Sequence, residues 1–279
     1  MSSDRRLRVL VTGASSGIGE TIATALAAKG LTVFGTSRSP RGDGANGIQM
    51  LPLDVRSDES VRECVAAIVS RAGGVDVLVN NAGYALTSAA EETSVDEAKE
   101  QFDTNFFGVV RMTNAVLPLM RQAGGGKVIM MGSLAGSVGV PFWSYYCATK
   151  FALEGYCEAL WYEVRPFGIS VSIVEPEWAR TSLGHSGRTA SAPLPAYAAS
   201  EQRATEAIQR FIRDGLSPNQ VRDRVLRIID DPSPTFRYPA GSQATWLPRV
   251  KALLPWATFS ATLAKRFGQT DVRAARGPV

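Results

Sequence analysis

Short apolar runs rich in β-branched residues alternate along this chain with stretches whose apolar positions recur every three to four residues. "LRVLVTG" (residues 7–13) reads as a buried strand, and "GETIATALAAKG" (residues 19–30) as a helix closed by glycine. "LTVFGTS", "IQMLPLDV" and "VDVLVNNAG" read as the second, third and fourth strands. Between the last two, "SDESVRECVAAIVSRAGG" opens on a capping serine, Ser57, and closes at Gly73, which predicts a helix. A long helix is expected over about residues 96–121, bent at Pro118, and "GKVIMMGS" follows as the fifth strand. The stretch "SYYCATK" opens a helix that runs to about Arg165, and "ISVSIVEP" is the sixth strand.

These strands are apolar throughout rather than on alternate residues, so both of their faces are buried. That pattern predicts an α/β fold: a doubly wound, Rossmann-like parallel sheet covered by helices on both faces. After Pro176 the rhythm breaks. "TSLGHSGRTASAPLPAYAAS" is rich in Gly, Pro and Ser and reads as a mobile connection. Helices are expected over about residues 196–214 and 218–230, and "TFRYPAG" offers a last strand. The end of the chain, "ATWLPRVKALLPWATFSATLAKRFG", carries an apolar stripe of Trp246, Val250, Leu253, Leu254, Leu263 and Phe267. No linker separates a second domain, so residues 1–279 read as one domain. Within it, residues 177–214 are expected to form a mobile substrate lid and residues 245–279 an amphipathic carboxyl-terminal extension.

With 279 residues, 45% of them hydrophobic, the chain can bury one large core or two modest ones. Its net charge of +4 is small and dispersed, which gives no reason to expect nucleic acid. Cys64, Cys147 and Cys157 form no CxxC pair, a sparse, odd set that suits a reducing compartment, and the cytoplasm is the expected location. His185 is the only histidine, which argues against a zinc site or a Ser-His-Asp triad, and no metal is expected. The start, "MSSDRRLRVLVTG", has no apolar run before a cleavage site and reads as a tail entering a strand. No stretch is long and apolar enough to span a bilayer.

The first chemical signal is "TGASSGIG", between the first strand and the first helix. Gly13, Gly17 and Gly19 let the backbone turn tightly and approach a pyrophosphate at the helix N-terminus. The second strand ends in Thr36, Ser37 and Arg38, where dinucleotide folds that take NAD place an acid. The Arg38 fork and the Ser37 hydroxyl suit a 2′-phosphate instead, so NADP(H) is the expected cofactor.

The second signal is the doublet of tyrosines. Tyr146 and Lys150 are four residues apart and share a helix face, whereas Tyr145 lies about 100° around the helix. A cation beside Tyr146 would favour its phenolate, as would a nicotinamide cation. Bringing a phenol from about 10 to near neutrality requires roughly 4 kcal/mol from such neighbours.

TGxxxGxG, "NNAG" (residues 80–83), Asn105, the Gly-Ser that ends the fifth strand (Ser133) and YxxxK occur in that order. Together they resemble the short-chain dehydrogenase/reductase family in its single-domain branch. The stretch from "PFWSYYCATK" to "SIVEP" is most similar to the 17β-hydroxysteroid and retinol dehydrogenase-like subgroup. The resemblance implies a general acid or base at Tyr146, with Lys150 lowering its pKa and binding the nicotinamide ribose. It implies that Ser133 bonds the substrate oxygen and that Asn105 holds a water linking Lys150 to solvent. Cofactor contacts would come from Gly13, Ser15, Ser16, Gly17, Ile18, Gly19, Ser37, Arg38, Asp54, Val55, Asn81, Ala82, Gly83, Tyr146, Lys150, Pro176 and Thr181. Asp54 and Val55 would meet the adenine and Thr181 the carboxamide.

The implied activity is an NADP(H)-dependent interconversion of a ketone or aldehyde with an alcohol, on a bulky, apolar substrate. The resemblance also implies a homodimer or homotetramer. One departure stands out: the family's usual Pro-Gly after the sixth strand is Pro176-Glu177 here. Glu177 and Trp178 are expected to crowd or charge the entrance beside the nicotinamide, and Glu177 to select against anionic substrates. Two rival readings stay open, a non-catalytic NADP(H)-binding sensor or scaffold and a sugar-nucleotide epimerase or dehydratase. For the final apolar stripe, core packing or a substrate lid is expected rather than membrane contact.

Overall fold

The structure, a computed structural model, describes residues 6–181 and 189–269, apart from the Asn46 side chain. Its strands are β1 (Arg8–Val11), β2 (Thr32–Ser37), β3 (Gln49–Pro52), β4 (Val77–Asn80), β5 (Gly126–Met131), β6 (Ile169–Pro176) and β7 (Arg237–Ala240). All seven form one parallel sheet in the order β3-β2-β1-β4-β5-β6-β7. "TFRYPAG" does supply the last strand, with Arg237 opposite Ile173 and Ala240 opposite Pro176. The chain order reverses between β1 and β4, which opens a crevice at their carboxyl ends, the place where open sheets bind ligands.

The helices are α1 (Gly17–Ala28), α2 (Asp58–Ala72), α3 (Val95–Phe102), α4 (Gly108–Ala123), α5 (Ser144–Val164), α6 (Pro195–Arg213), α7 (Pro218–Asp230), α8 (Ser242–Leu253) and α9 (Trp256–Arg266). The sheet's unbroken apolar strands divide by residue parity between two cores. Leu10, Leu78, Val128 and Met130 pack with Met112 of α4 and Leu153 of α5. Val9, Val79 and Ile129 pack on the other face with Ile22 of α1 and Val225 of α7. Each such side chain, buried outright, stabilises the fold by roughly 1.5–3 kcal/mol. The helix ends follow the expected chemistry. Ser57 accepts the Ser60 amide at 3.2 Å, and Gly73 closes α2 at φ 77°.

The long helix expected over 96–121 is interrupted elsewhere than at Pro118. A π-helical turn, Asp103–Phe107, separates α3 from α4, and α4 continues past Pro118 to Ala123. The break falls where the Asn105 side chain is drawn out of the helix onto the Tyr84 backbone and Thr149, an arrangement typical of functional sites.

Residues 195–213 of the stretch expected as a lid are a regular helix, with Ala204, Ala207, Ile208 and Ile212 buried. Its approach is held by two carboxylates: Glu97 accepts the Ser191 amide at 2.9 Å and Glu92 the Leu194 amide at 2.6 Å. The period of its apolar residues, with Pro195 in the first turn, sets this half of the segment despite the nearby Gly, Pro and Ser. Leu183, His185 and the chain beyond residue 269 lie outside the described residues. The carboxyl-terminal stripe splits in two. Val250, Leu263 and Phe267 pack inward, while Trp246, Leu253 and Leu254 face outward. Among the described residues no helix is long and apolar enough to cross a membrane.

Candidate active site

The glycine-rich turn is a cradle that side chains would fill. Gly13 and Gly17 stand at φ 66° and 61°, in the left-handed region. A Cβ on Gly19 would overlap the Gly13 carbonyl, so the tight path requires glycine there. Asn81 stitches this turn to the end of β4, donating to the Thr12 and Gly13 carbonyls at 3.0 and 3.2 Å. Thr12, which sequence reasoning passed over, completes the stitch: its hydroxyl accepts the amides of Asn81 and Ala82 at 2.9 and 3.0 Å.

Beside the cradle runs a groove of about 1360 Å³, including its open mouth. Gly13, Ser15, Ser16, Gly17, Ile18, Ser37, Arg38, Asp54, Val55, Asn81, Ala82, Gly83 and Thr181 line it, so the structure brings nearly every expected cofactor contact together. The Ser37 hydroxyl is buried there with no hydrogen-bond partner, and Arg38 makes no ion pair among the described residues. A groove ending in an unpaired hydroxyl and a free guanidinium fits a nucleotide phosphate. Asp54 is not free: Arg56 binds both its oxygens, the closer at 2.7 Å, and holds its carboxyl below the ordinary range. An adenine amino group would therefore share that acceptor with Arg56, a groove residue that the sequence reading missed. Its only signal was its place two residues after Asp54.

Tyr146 is buried at the floor of a second cleft, which Ser133 also lines. The Ser133 hydroxyl accepts the Ala135 amide at 3.1 Å, which leaves its own proton available to an oxygen in the cleft. Tyr145, by contrast, is partly exposed on another surface, its hydroxyl 3.4 Å from the Ala90 carbonyl. The helix-face argument thus selected the tyrosine that reaches the cleft. The electrostatics differ from the simple expectation. Burial pushes the Tyr146 phenol up to about 12, and the nearby Ser133 hydroxyl pulls against it. Lys150 is buried too, with its ammonium 5.7 Å from the centre of the Tyr146 ring, and donates to the Met131 carbonyl at 2.7 Å. Burial brings Lys150 down to about 8, against the pull of Glu154 one turn along α5.

Asn105 is fully buried, accepting the Tyr84 amide at 3.0 Å and donating to the Tyr84 carbonyl at 2.8 Å and the Thr149 hydroxyl at 3.3 Å. Thr149 passes the contact on to the Tyr146 carbonyl at 2.7 Å. Asn105 therefore ties the β4 loop to the helix that carries Tyr146 and Lys150. With its side chain committed in this way, a water held by Asn105 would use the backbone carbonyl.

The second cleft, about 1050 Å³ with its mouth, is walled by Trp143, Trp178, Phe211, Leu247, Leu263 and Phe267, and Gln243 and Arg266 add polar groups. Ile18, Asn81, Gly83, Tyr84 and Thr181 line both this cleft and the groove, so the two share a wall. Trp178 stacks among Trp143, Phe211 and Phe267, with ring centres 5.3–6.1 Å apart, and so adds an aromatic wall to the cleft. Glu177 lines the cleft, as expected, but its carboxylate is engaged. Its carboxylate accepts the Gln243 amide at 2.6 Å and the Ala244 amide at 3.4 Å, at the amino end of α8. Two backbone donors and the positive end of a helix offset the charge that was expected to face substrate.

Comparison with known proteins agrees with this geometry. The family model described as short chain dehydrogenase matches residues 8–219. The 3-ketodihydrosphingosine reductase of Bacteroides thetaiotaomicron is 39% identical over 250 residues, covering 86% of this chain and 93% of that protein. Human 17-beta-hydroxysteroid dehydrogenase type 1 is 32% identical over 295 residues, covering 98% and 89%. Among solved structures, a short-chain dehydrogenase from Streptomyces avermitilis superposes with a TM-score of 0.76 at 32% identity, covering 96% of this chain and 99% of the other. Members of this family work with NAD(H) or NADP(H). The glycine cradle, the Tyr146 and Ser133 pair on the floor of an adjoining cleft, and a match over most of the length lead to one conclusion: this chain belongs to the short-chain dehydrogenase/reductase family.

Proposed function

We propose that the protein is an NADP(H)-dependent carbonyl reductase or alcohol dehydrogenase for a bulky, apolar substrate. One observation carries the reading: Tyr146 and Ser133 lie together at the floor of an aromatic-walled cleft that shares five lining residues with the cofactor groove. In the reductive direction the substrate carbonyl oxygen takes a hydrogen bond from Ser133 and a proton from Tyr146. A nicotinamide held in the groove would supply the hydride for the carbonyl carbon, which with the proton from Tyr146 gives the alcohol. Lys150 stabilises the phenolate left on Tyr146 and offers its other donors to the nicotinamide ribose. Asn105 positions α5 through Thr149.

The preference for NADP(H) rests on the unpaired Ser37 hydroxyl and Arg38. The substrate class rests on the cleft's aromatic wall, and it agrees with relatives named for ketosphingoid and steroid substrates. We place the enzyme in the cytoplasm, where the three free, buried cysteines stay reduced. Assembly as a homodimer or homotetramer would cover Phe107 and Phe151, which are exposed around α4 and α5. The test is a turnover screen with NADPH and NADH over steroid, retinoid, long-chain and short polar ketones. NADPH oxidation with the apolar ketones is the expected result. Cofactor binding without turnover of any ketone would replace this reading with a non-catalytic sensor or scaffold.

A further inference from the structure

The turn between α8 and α9 is unusual for a soluble surface. Residues 252–258, "ALLPWAT", are all exposed and carry no charge. Leu253 is 83% exposed, Trp256 68% and Leu254 41%, and Trp246 lies one to two turns back along α8 at 42%. Large apolar side chains clustered this way mark an interaction site rather than ordinary surface scatter. The charge around the turn has one sign. Residues 242–269 contain Arg249, Lys251, Lys265 and Arg266 and no Asp or Glu. Arg249 on α8 and Lys265 in the last turn of α9 are exposed and make no ion pair among the described residues, so they stand behind the apolar tip as cations.

The same hairpin has a second face. Gln243 and Leu247 of α8, with Leu263, Arg266 and Phe267 in and just after α9, line the substrate cleft. The inner side of one helical hairpin therefore roofs the cleft while its tip presents leucine and tryptophan to the outside. A tip with tryptophan and leucine at the end and basic residues behind matches what sits at a bilayer surface: apolar groups enter the acyl boundary and cations meet anionic headgroups.

We propose that the α8–α9 hairpin docks the enzyme on an anionic lipid bilayer, with Leu253, Leu254 and Trp256 inserted and Arg249 and Lys265 against the headgroups. Docking would bring the roof of the cleft next to the membrane, where a sparingly soluble substrate is concentrated. The role in substrate capture rests on the apolar-substrate reading above. The docking itself does not, and it is measured without substrate.

The test uses the full-length protein with vesicles of phosphatidylcholine alone and of phosphatidylcholine with phosphatidylglycerol, by co-sedimentation across a salt series. Wild type should sediment with the anionic vesicles, and less so as salt rises. Leu253→Ser combined with Trp256→Ser should weaken binding by about tenfold or more, since two large apolar side chains no longer leave water. Arg249→Glu should weaken binding to anionic vesicles and flatten its salt dependence, and change little on neutral ones. Thermal melting and turnover of a short, soluble ketone show whether the variants are folded and active, because these residues lie outside the cleft. Failure of wild type to bind anionic vesicles, or equal binding by wild type and the double serine variant, overturns the proposal. So does a double variant whose only change is loss of an oligomer in light scattering, which would make the tip a contact between copies of this chain.

Discussion

The Lys150 ammonium stands 5.7 Å from the centre of the Tyr146 ring, while Tyr145 reaches the Ala90 carbonyl on another surface. Adjacent tyrosines thus have separate environments, and only one meets the cleft. Tyr146→Phe should lower kcat by about 10²–10⁴ while cofactor titration still saturates, because only the proton donor is removed. Tyr145→Phe should stay within a few-fold of wild type. Comparable losses in both variants, measured by NADPH oxidation, would overturn the assignment.

The pH profile follows from the buried lysine. Lys150 has been brought down to about 8 by burial, so its charge is present below that pH and is lost as pH rises through it. Reduction needs that charge to stabilise the Tyr146 phenolate, so kcat/KM for the ketone, at saturating NADPH, should fall on the alkaline side from about that pH. Glu154 raises Lys150 against burial, and its own carboxyl, pushed up to about 7, is largely ionised in this range. Glu154→Gln should therefore move the alkaline limb to lower pH without removing any group that touches substrate. An unmoved limb would detach it from Lys150.

Cofactor choice turns on one end of the groove. Arg38 has no ion-pair partner among the described residues, and the Ser37 hydroxyl beside it is buried unpaired. A charge-assisted contact to a 2′-phosphate is worth roughly 1.5–3 kcal/mol, so Arg38→Ala should weaken NADPH by about tenfold or more. NADH, which lacks that phosphate, should bind nearly as before. Arg56 compensates little, since Asp54 already holds it. Equal losses for both cofactors in fluorescence titrations would show that Arg38 does not read the 2′-phosphate.

What the sequence revealed divides along physical lines. Strands buried on both faces and helices with a strong apolar period are local patterns, and all six main strands stand where those patterns put them. Tyr146 and Lys150 were legible because helix geometry alone puts residues four apart on one face. Pairings made by loop and turn geometry or across the fold were not legible in the same way. Arg56 on Asp54, Thr12 under the Asn81 and Ala82 amides, and the π turn around Asn105 each depend on partners many residues away or on how a turn closes. The burial that raises the Tyr146 phenol is likewise tertiary, supplied partly by the distant Phe267 and Ile212. Glu177 was noticed for replacing a glycine, but nothing local pointed its carboxylate at a helix that starts 65 residues later.

That carboxylate and Gly241 form a matched pair. Gly241 precedes α8 at φ 101°, and a Cβ there would overlap the Glu177 side chain. Gly241→Ala therefore carries two costs, an unfavourable backbone angle of roughly 1–3 kcal/mol and a steric conflict with Glu177. The melting temperature should fall by several degrees, at about 2–4 °C per kcal/mol for a chain of this size class. Glu177→Ala removes the conflict but also the acceptor at the α8 amino end, a loss of about 1 kcal/mol. In the Glu177→Ala background, Gly241→Ala should then cost only its backbone share, so the double variant is more stable than the sum of the single losses implies. The same geometry bears on selectivity, since Glu177 lines the cleft. Because the amides of Gln243 and Ala244 offset the Glu177 charge, Glu177→Gly should leave the ratio of kcat/KM for neutral and anionic ketones within a few-fold of wild type. A large gain for anionic ketones would mean that the carboxylate faces the substrate after all. Strict additivity in the double variant would mean that Glu177 and Gly241 do not meet.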